Sequence, residues 1–220
     1  MASLVERYRP ASLGEMVGQD TTVDAVAGLR PWGGRAFWLS GASGVGKTTM
    51  ARIIAREVAG TEPGHIRELD AGDLTESRVG AIAANTRPRA LFGGWAIIVN
   101  EAHGLKPAVA RKLLSALEPI PEHCVWIFTT TKKGQKLLFE KTDDAFPLMS
   151  RCQCFELRSG LDKTVTARAF AHRAAEIAAA EGLNGTAEQA YFNAVGKRLQ
   201  GSMRELLQAV ERGEFHAKGE

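Results

Sequence analysis

The run Phe37-Trp-Leu-Ser40-Gly41-Ala-Ser-Gly44-Val-Gly46-Lys47-Thr48-Thr49-Met50 decides how this 220-residue chain is read. Its first residues are bulky and apolar, as in a strand. From Lys47 onward Met50, Ile53, Ile54 and Val58 recur near three-to-four spacing, as on one face of a helix. The pattern predicts a strand over Phe37–Leu39, a glycine-rich turn and a helix over Lys47–Val58. The turn satisfies G-x-x-x-x-G-K-S/T at Gly41, Gly46, Lys47 and Thr48, in the strand-to-helix context that a P-loop needs. The chemistry follows from the residue types. Glycines let consecutive backbone N–H groups and a helix N-terminus face nucleotide phosphates. Lys47 brings a mobile positive charge to the β- and γ-phosphates, and the Thr48 hydroxyl is a ligand for Mg²⁺. Gly41, Ser43, Gly44, Val45, Gly46, Lys47, Thr48 and Thr49 are therefore the expected cradle for ATP or ADP.

Outward from this loop, short apolar strands alternate with amphipathic helices, the pattern of a parallel sheet covered by helices. The further strands are expected at His65–Leu69, Trp95–Val99, Cys124–Thr129 and Cys152–Leu157, and helices at Thr75–Ala84, with Thr75 as N-cap, and Pro107–Leu117. Thr131–Phe146 is polar and lysine-rich and reads as a surface loop or insertion. Beyond Ser159 the texture becomes Ala-rich helix, at Asp162–Glu181, Thr186–Leu199 and Ser202–Glu211. The expected division is an α/β nucleotide-binding domain over 1–157 and a small three-helix domain over 158–220.

Composition excludes several classes. Hydrophobic residues make up 45% and charged residues 24%, ordinary for a globular chain rather than a disordered, collagenous or disulfide-scaffolded one. No apolar run approaches the ~18 residues of a membrane span, and the N-terminus has no signal-peptide core. Cys124, Cys152 and Cys154 are an odd count without the second pair a zinc site would need, which fits a reducing cytoplasmic or nucleoid-associated setting. The formal charge is +3, with 18 basic against 16 acidic residues over 1–150 and 10 against 9 over 151–220. Contact with nucleic acid must come from local placement of Arg and Lys, not from a basic tail.

A second motif follows the strand at Trp95. Ala96-Ile-Ile-Val99 leads into Asn100-Glu101-Ala102-His103, which has the form of a Walker B strand. There an Asp at the strand end holds the Mg²⁺ shell and the next Glu orients or deprotonates the attacking water. Glu101 occupies the water-activating position. Asn100 stands where the Asp is expected, offering a neutral oxygen in place of a charge. His103 reads as structural.

Five ordered signatures resemble one family. Val5-Glu-Arg-Tyr-Arg-Pro10 with Met16-Val-Gly-Gln-Asp20, the P-loop, Glu68-Leu-Asp-Ala-Gly-Asp73, Ser150-Arg151-Cys152 and Gly201-Ser-Met-Arg204-Glu-Leu-Leu207 resemble the small or motor subunits of AAA+ sliding-clamp loaders of the replication factor C type. The resemblance implies a P-loop AAA+ fold, a five-stranded parallel sheet with flanking helices, followed by a helical lid. It implies that Tyr8, Arg9, Pro10 and Val17 line the adenine pocket and that Thr130, with Thr131 one register away, is sensor 1. Arg204 would reach the γ-phosphate of the chain's own nucleotide, and Arg151 would be the arginine finger for a neighbouring subunit's. With Lys47 and Glu101 these are the expected catalytic residues, and Thr48 and Asn100 would approach Mg²⁺ through the nucleotide. Thr75, Ser77, Arg78, Lys106, Arg111 and Lys112 occupy the helix starts that follow the primer–template DNA backbone in clamp loaders, and a solvated helix face explains the same charges. The implied partners are other AAA+ subunits in a homo- or hetero-oligomeric ring, a sliding clamp and primer–template DNA, with no membrane.

The chain departs from that family in three places. Clamp-loader subunits carry a helical collar after the lid, whereas this chain stops at Glu220, so the collar lies outside it or ring contacts are made by the AAA+ domains alone. The zinc-binding cysteines of the bacterial motor subunit are missing between the P-loop and Trp95, which points to the archaeal, eukaryotic and phage type. Asn100 leaves open a hydrolysis-poor structural subunit beside the ATP-driven switch, and a stand-alone remodelling ATPase of a phage or mobile element is the third reading.

Overall fold

The computed structural model describes residues 2–131, 145–162, 164–183 and 186–215. The lysine-rich segment expected as a loop or insertion lies outside them, apart from Thr131 and the residues from Ala145 on.

Five strands form one sheet: β1 (Arg35–Ser40), β2 (Ile66–Asp70), β3 (Trp95–Asn100), β4 (Cys124–Thr130) and β5 (Gln153–Glu156), in the order β2-β3-β4-β1-β5. Every neighbouring pair is parallel. Parallel strands need helical crossovers that cover both faces, which is why β3 and β4 are almost continuous apolar runs. All seven residues of β4 are buried, whereas no residue of the edge strands β2 and β5 is fully buried. Register aligns the strand ends: Ser40 pairs with Thr130 and Asp70 with Asn100, so the carboxyl ends of β1, β2, β3 and β4 share one edge.

The helices, in chain order, are α1 (Leu4–Arg7), α2 (Asp20–Ala27), α3 (Lys47–Ala59), α4 (Glu76–Asn85), α5 (Pro107–Leu117), α6 (Ala145–Ser150), α7 (Thr164–Ala180), α8 (Glu188–Lys197) and α9 (Met203–Glu211). The Thr75 hydroxyl caps α4 by accepting from Arg78 N at 3.2 Å, as expected of an N-cap. Pro107 opens α5, where its missing N–H costs nothing. Sequence periodicity misses α1, α2 and α6, each of eight residues or fewer and too short to show a repeat. Cys152 lies in the turn before β5, not in the strand.

The described chain groups into two compact units. One comprises Val26–Gly41 and Met50–Glu156 and contains the sheet. Its core packs Trp38, Trp126 and Phe128 with Ile97 and Val99 against Val109, Leu113 and Leu117 of α5, all buried. The other comprises Met1–Ala25, Ala42–Thr49 and Leu157–Glu220. Its core joins Leu4 of α1 to Phe170, Ala174 and Ile177 of α7, Tyr191 of α8 and Leu206, Leu207 and Val210 of α9. The helical C-terminal segment thus packs with the N-terminal residues and the P-loop.

Candidate functional site

The P-loop connects β1 to α3. Gly44 has φ 72° and Gly46 φ 108°, values that L side chains rarely adopt. Space is as restrictive as backbone angle. A Cβ on Gly44 would lie 2.0 Å from Ser202 Oγ and 2.9 Å from Arg204 Cβ, and one on Gly46 would lie 3.0 Å from Met16 Cε. Arg204 N also donates to the Gly44 carbonyl at 3.3 Å, so the start of α9 rests on the loop. Ser202 caps that helix by accepting from Glu205 N. Lys47 is buried and donates through Nζ to the Ala42 carbonyl at 2.7 Å. Thr48 is half-buried at the first turn of α3, where backbone N–H groups lack intrahelical partners and the helix dipole favours anions.

A pocket open to solvent lies over this loop. Tyr8, Arg9, Pro10, Val17, Gly44, Val45, Gly46, Lys47, Thr48, Thr49 and Arg204 all line it, as expected; Gly41 and Ser43 do not. Ser43 is exposed beside a second cavity with Ser202 and Arg198. Residues the sequence did not signal complete the pocket: Met16, Phe170, Ile177, Met203 and Leu207 make one side apolar, and Arg173 adds a cation. Only packing of α7 and α9 against the N-terminal segment brings them together.

The N-terminal wall is tied down. Tyr8 Oη donates to Glu181 Oε1 at 2.6 Å, and Arg7 pairs with Glu181 Oε2. Chiefly by these two hydrogen bonds the Glu181 carboxyl is held below its ordinary range, and the same Tyr8 bond raises the phenol. Arg9 pairs with Glu6 and donates to Thr49 Oγ1 at 3.0 Å. Gln19 is buried and bonds both backbone groups of Arg158, accepting from its N–H at 2.9 Å and donating to its carbonyl at 2.7 Å.

An apolar wall beside a cationic, donor-rich loop suits a base joined to a polyphosphate. The residues therefore fit the implied ATP. For Mg²⁺ the donor on this loop is the Thr48 hydroxyl, compatible with a cation held mainly through phosphates.

A separate polar cluster occupies the carboxyl edge of the sheet. Asn100 donates through Nδ2 to Glu68 Oε1 at 2.8 Å and accepts at Oδ1 from Thr129 at 2.8 Å. Glu68 is in turn held by Arg52 Nε and Nη2 at 2.9 and 3.2 Å. Glu101 has φ 50° and ψ 46°, a left-handed conformation unusual outside glycine. Thr130 is fully buried and Thr131 donates to Glu101 Oε2 at 3.3 Å.

Arg151 donates to the Pro147 carbonyl at 3.0 Å and to Glu118 Oε1 at 2.8 Å. Thr75, Ser77, Arg78, Lys106, Arg111 and Lys112 are all exposed, on or just before α4 and α5. Lys112, in the middle of α5, lies over Gly80 of α4, its Cε 3.6 Å from where a Cβ would stand. Among the described residues no group of His, Cys, Asp and Glu is arranged to hold a metal. No described helix is long and apolar enough to cross a membrane. Burial pushes the Cys124 thiol up to about 11 and raises Cys152 further; all three cysteines are free.

Residues 37–157 match the family model of the ATPase family associated with various cellular activities (AAA), and the chain belongs to that family. Its relatives sharpen the placement. It is 28% identical to the replication factor C small subunit of Methanoregula boonei, over 94% of this chain and 62% of that protein. It is 26% identical to DNA polymerase III subunit tau of Bacillus subtilis, over 95% of this chain and 39% of that protein. These are clamp-loader subunits, the group the five signatures resemble. Identity does not separate the two kinds. Among solved structures, the Thermotoga maritima RuvB Holliday junction branch migration motor is 25% identical with a TM-score of 0.69, over 93% of this chain and 64% of that one. The chain spans less than two thirds of each of these relatives.

Proposed function

We propose that this chain is the nucleotide switch of a clamp-loader-type complex in DNA replication. It binds ATP, couples the bound state to assembly of an AAA+ ring on primer–template DNA and a sliding clamp, and hydrolyses ATP to release them. The observation that carries the reading is the pocket over the P-loop, walled by Tyr8, Pro10 and Val17 on one side and met by Arg204 on the other. Its similarity to replication factor C small subunit and DNA polymerase III subunit tau supports the replication setting.

The roles divide by chemistry. The apolar wall takes the base. The loop amides and Lys47 take the phosphates, and Arg204 reads the γ-phosphate. The Thr48 hydroxyl, with the Asn100 oxygen as a further donor, would hold Mg²⁺ through the nucleotide, and the ion would supply positive charge against the phosphates. Glu101 orients and deprotonates the attacking water, and Thr130 serves as sensor 1. Arg151 is the arginine finger, adding donors for developing charge only when a neighbouring subunit is present, which ties hydrolysis to assembly. The functional division is a nucleotide-binding domain over 1–157 and a lid over 158–220. The basic and hydroxyl side chains opening α4 and α5 follow the DNA backbone without reading sequence.

Solution mass with and without a non-hydrolysable ATP analogue, followed by ATPase assays with primer–template DNA and a sliding clamp, tests the reading. Nucleotide-dependent oligomers and DNA-stimulated turnover support it; a monomer that binds no nucleotide overturns it. Replacing Arg78 and Lys112 by Ala should lower the dependence of log affinity on log salt by about 2.

The double engagement of the Asn100 amide, by Glu68 and Thr129, favours a second reading in which the chain binds nucleotide but turns it over slowly. Robust hydrolysis by the wild type excludes it.

A further inference from the structure

His103, which the sequence presents as structural, stands between two residues assigned to hydrolysis. Its Nδ1 lies 3.2 Å from Glu101 Oε2 and 3.2 Å from Thr130 Oγ1. Neither contact is accidental to the backbone. The left-handed Glu101 turns the chain into a single turn of 3₁₀ helix, Ala102–Gly104, closed by Gly104 N donating to the Glu101 carbonyl at 2.8 Å. Ala102 and Leu105, both buried, pin that turn to the core. The side chains two residues apart are thereby brought together, and the ring is laid against the end of β4.

We propose that His103 is the positioning residue that couples Glu101 to Thr130, holding the carboxylate through an Nδ1–H donor while the same nitrogen contacts the sensor 1 hydroxyl. This rests on the reading of Glu101 as the water-activating carboxylate and of Thr130 as sensor 1. An ionised carboxylate only accepts hydrogen bonds, so Nδ1 must carry the proton to face it, which selects the Nδ1–H tautomer of the neutral ring. Thr131 donates to the same oxygen, Glu101 Oε2. The carboxylate is thus held from two sides, and movement of the Thr130 hydroxyl toward a phosphate is transmitted to it through a single ring. The left-handed strain at Glu101 is what this arrangement maintains.

The test uses the full chain under the conditions of its highest ATPase rate. His103→Ala should lower kcat about tenfold or more while KM and the affinity for a fluorescent ADP analogue stay within about twofold, since only the alignment of a base is lost. His103→Asn, whose amide nitrogen stands near the place of Nδ1, should recover most of the rate. Long-range ¹H–¹⁵N correlation spectra, assigned by loss of a signal in His103→Asn, should report the Nδ1–H tautomer in the wild type and loss of that preference in Glu101→Ala. Unchanged kcat in His103→Ala overturns the proposal. So does an Nε2–H tautomer, or a common fall in kcat and thermal stability that Asn does not rescue. Glu101→Gln separates the underlying reading: if that variant hydrolyses ATP like the wild type, the assignment of Glu101 fails whatever His103 does. Where turnover is too slow for kinetics, the tautomer decides.

Discussion

Tyr8 Oη donates a hydrogen bond to Glu181 Oε1, across 173 residues of sequence, at 2.6 Å. Tyr8 walls the pocket from the N-terminal segment and Glu181 follows the last turn of α7, so one hydrogen bond joins two elements that line the pocket. Glu181→Gln keeps the shape and removes the charge that also pairs with Arg7. Because the group is solvent-facing, the expected loss is small, about two- to fivefold in nucleotide affinity. The sign with pH is determined by the depressed Glu181 carboxyl. Its contribution is complete above the ordinary value of 4.5 and disappears as pH falls through the lower folded value. Fluorescent-nucleotide titrations should therefore show the wild-type advantage over Glu181→Gln constant from pH 8 to pH 5 and lost only in stronger acid. An advantage that vanishes near neutrality contradicts this.

The P-loop tolerates no side chain at Gly44. Ala there meets Ser202 Oγ and must adopt φ 72°. The expected result is a loss of at least about 1 kcal/mol in stability, from backbone strain and overpacking, together with loss of measurable nucleotide binding. Lys47→Met should abolish binding while leaving the melting temperature nearly unchanged, because it removes the charge and keeps the buried aliphatic stem. Thermal melts with and without ADP distinguish the two variants.

Asn100→Asp, the change that restores the usual Walker B acid, should not be a simple gain. The amide nitrogen that donates to Glu68 at 2.8 Å would become a second carboxylate oxygen. Like charges at that distance, partly offset by Arg52, should cost about 1 kcal/mol, and pairing the change with Glu68→Gln should recover it. Denaturant melts of the single and double variants measure the coupling. Additivity of the two changes contradicts direct contact.

Arg151→Ala should remove assembly-stimulated hydrolysis while leaving nucleotide affinity intact, and its loss of affinity instead would contradict a role in trans. Glu118→Ala acts on the same guanidinium with the opposite sign. It releases Arg151 from an exposed ion pair of ~0.2–1 kcal/mol, so the protein concentration for half-maximal ATPase should fall by up to about fivefold. A rise would show that Glu118 orients Arg151 rather than restraining it.

The parts of the molecule legible in sequence are those governed by short-range chemistry. The P-loop is written in glycines whose backbone no other residue reproduces and in a Lys-Thr pair that starts a helix. The central strands Trp95–Asn100 and Cys124–Thr130 are buried on both faces, so each reads as an unbroken apolar run. The Thr75 cap and Pro107 start are local signals of the same kind. Short elements such as Leu4–Arg7 and Asp20–Ala27 span only about one to two turns, too few to show a repeat, and pass unnoticed. Asn100 was visible as an anomaly, but its partner Glu68 was not, because the contact depends on β2 lying beside β3 in the sheet.

What the sequence determined by itself is a parallel α/β sheet with a P-loop between its first strand and the helix that follows. What only the tertiary structure decided is which residues meet. Glu181 at Tyr8, Ser202 against Gly44 and His103 between Glu101 and Thr130 are each produced by backbone geometry and by packing of distant segments. Hydrogen bonds act over about 3 Å, a distance that periodicity and composition do not encode between residues far apart in the chain.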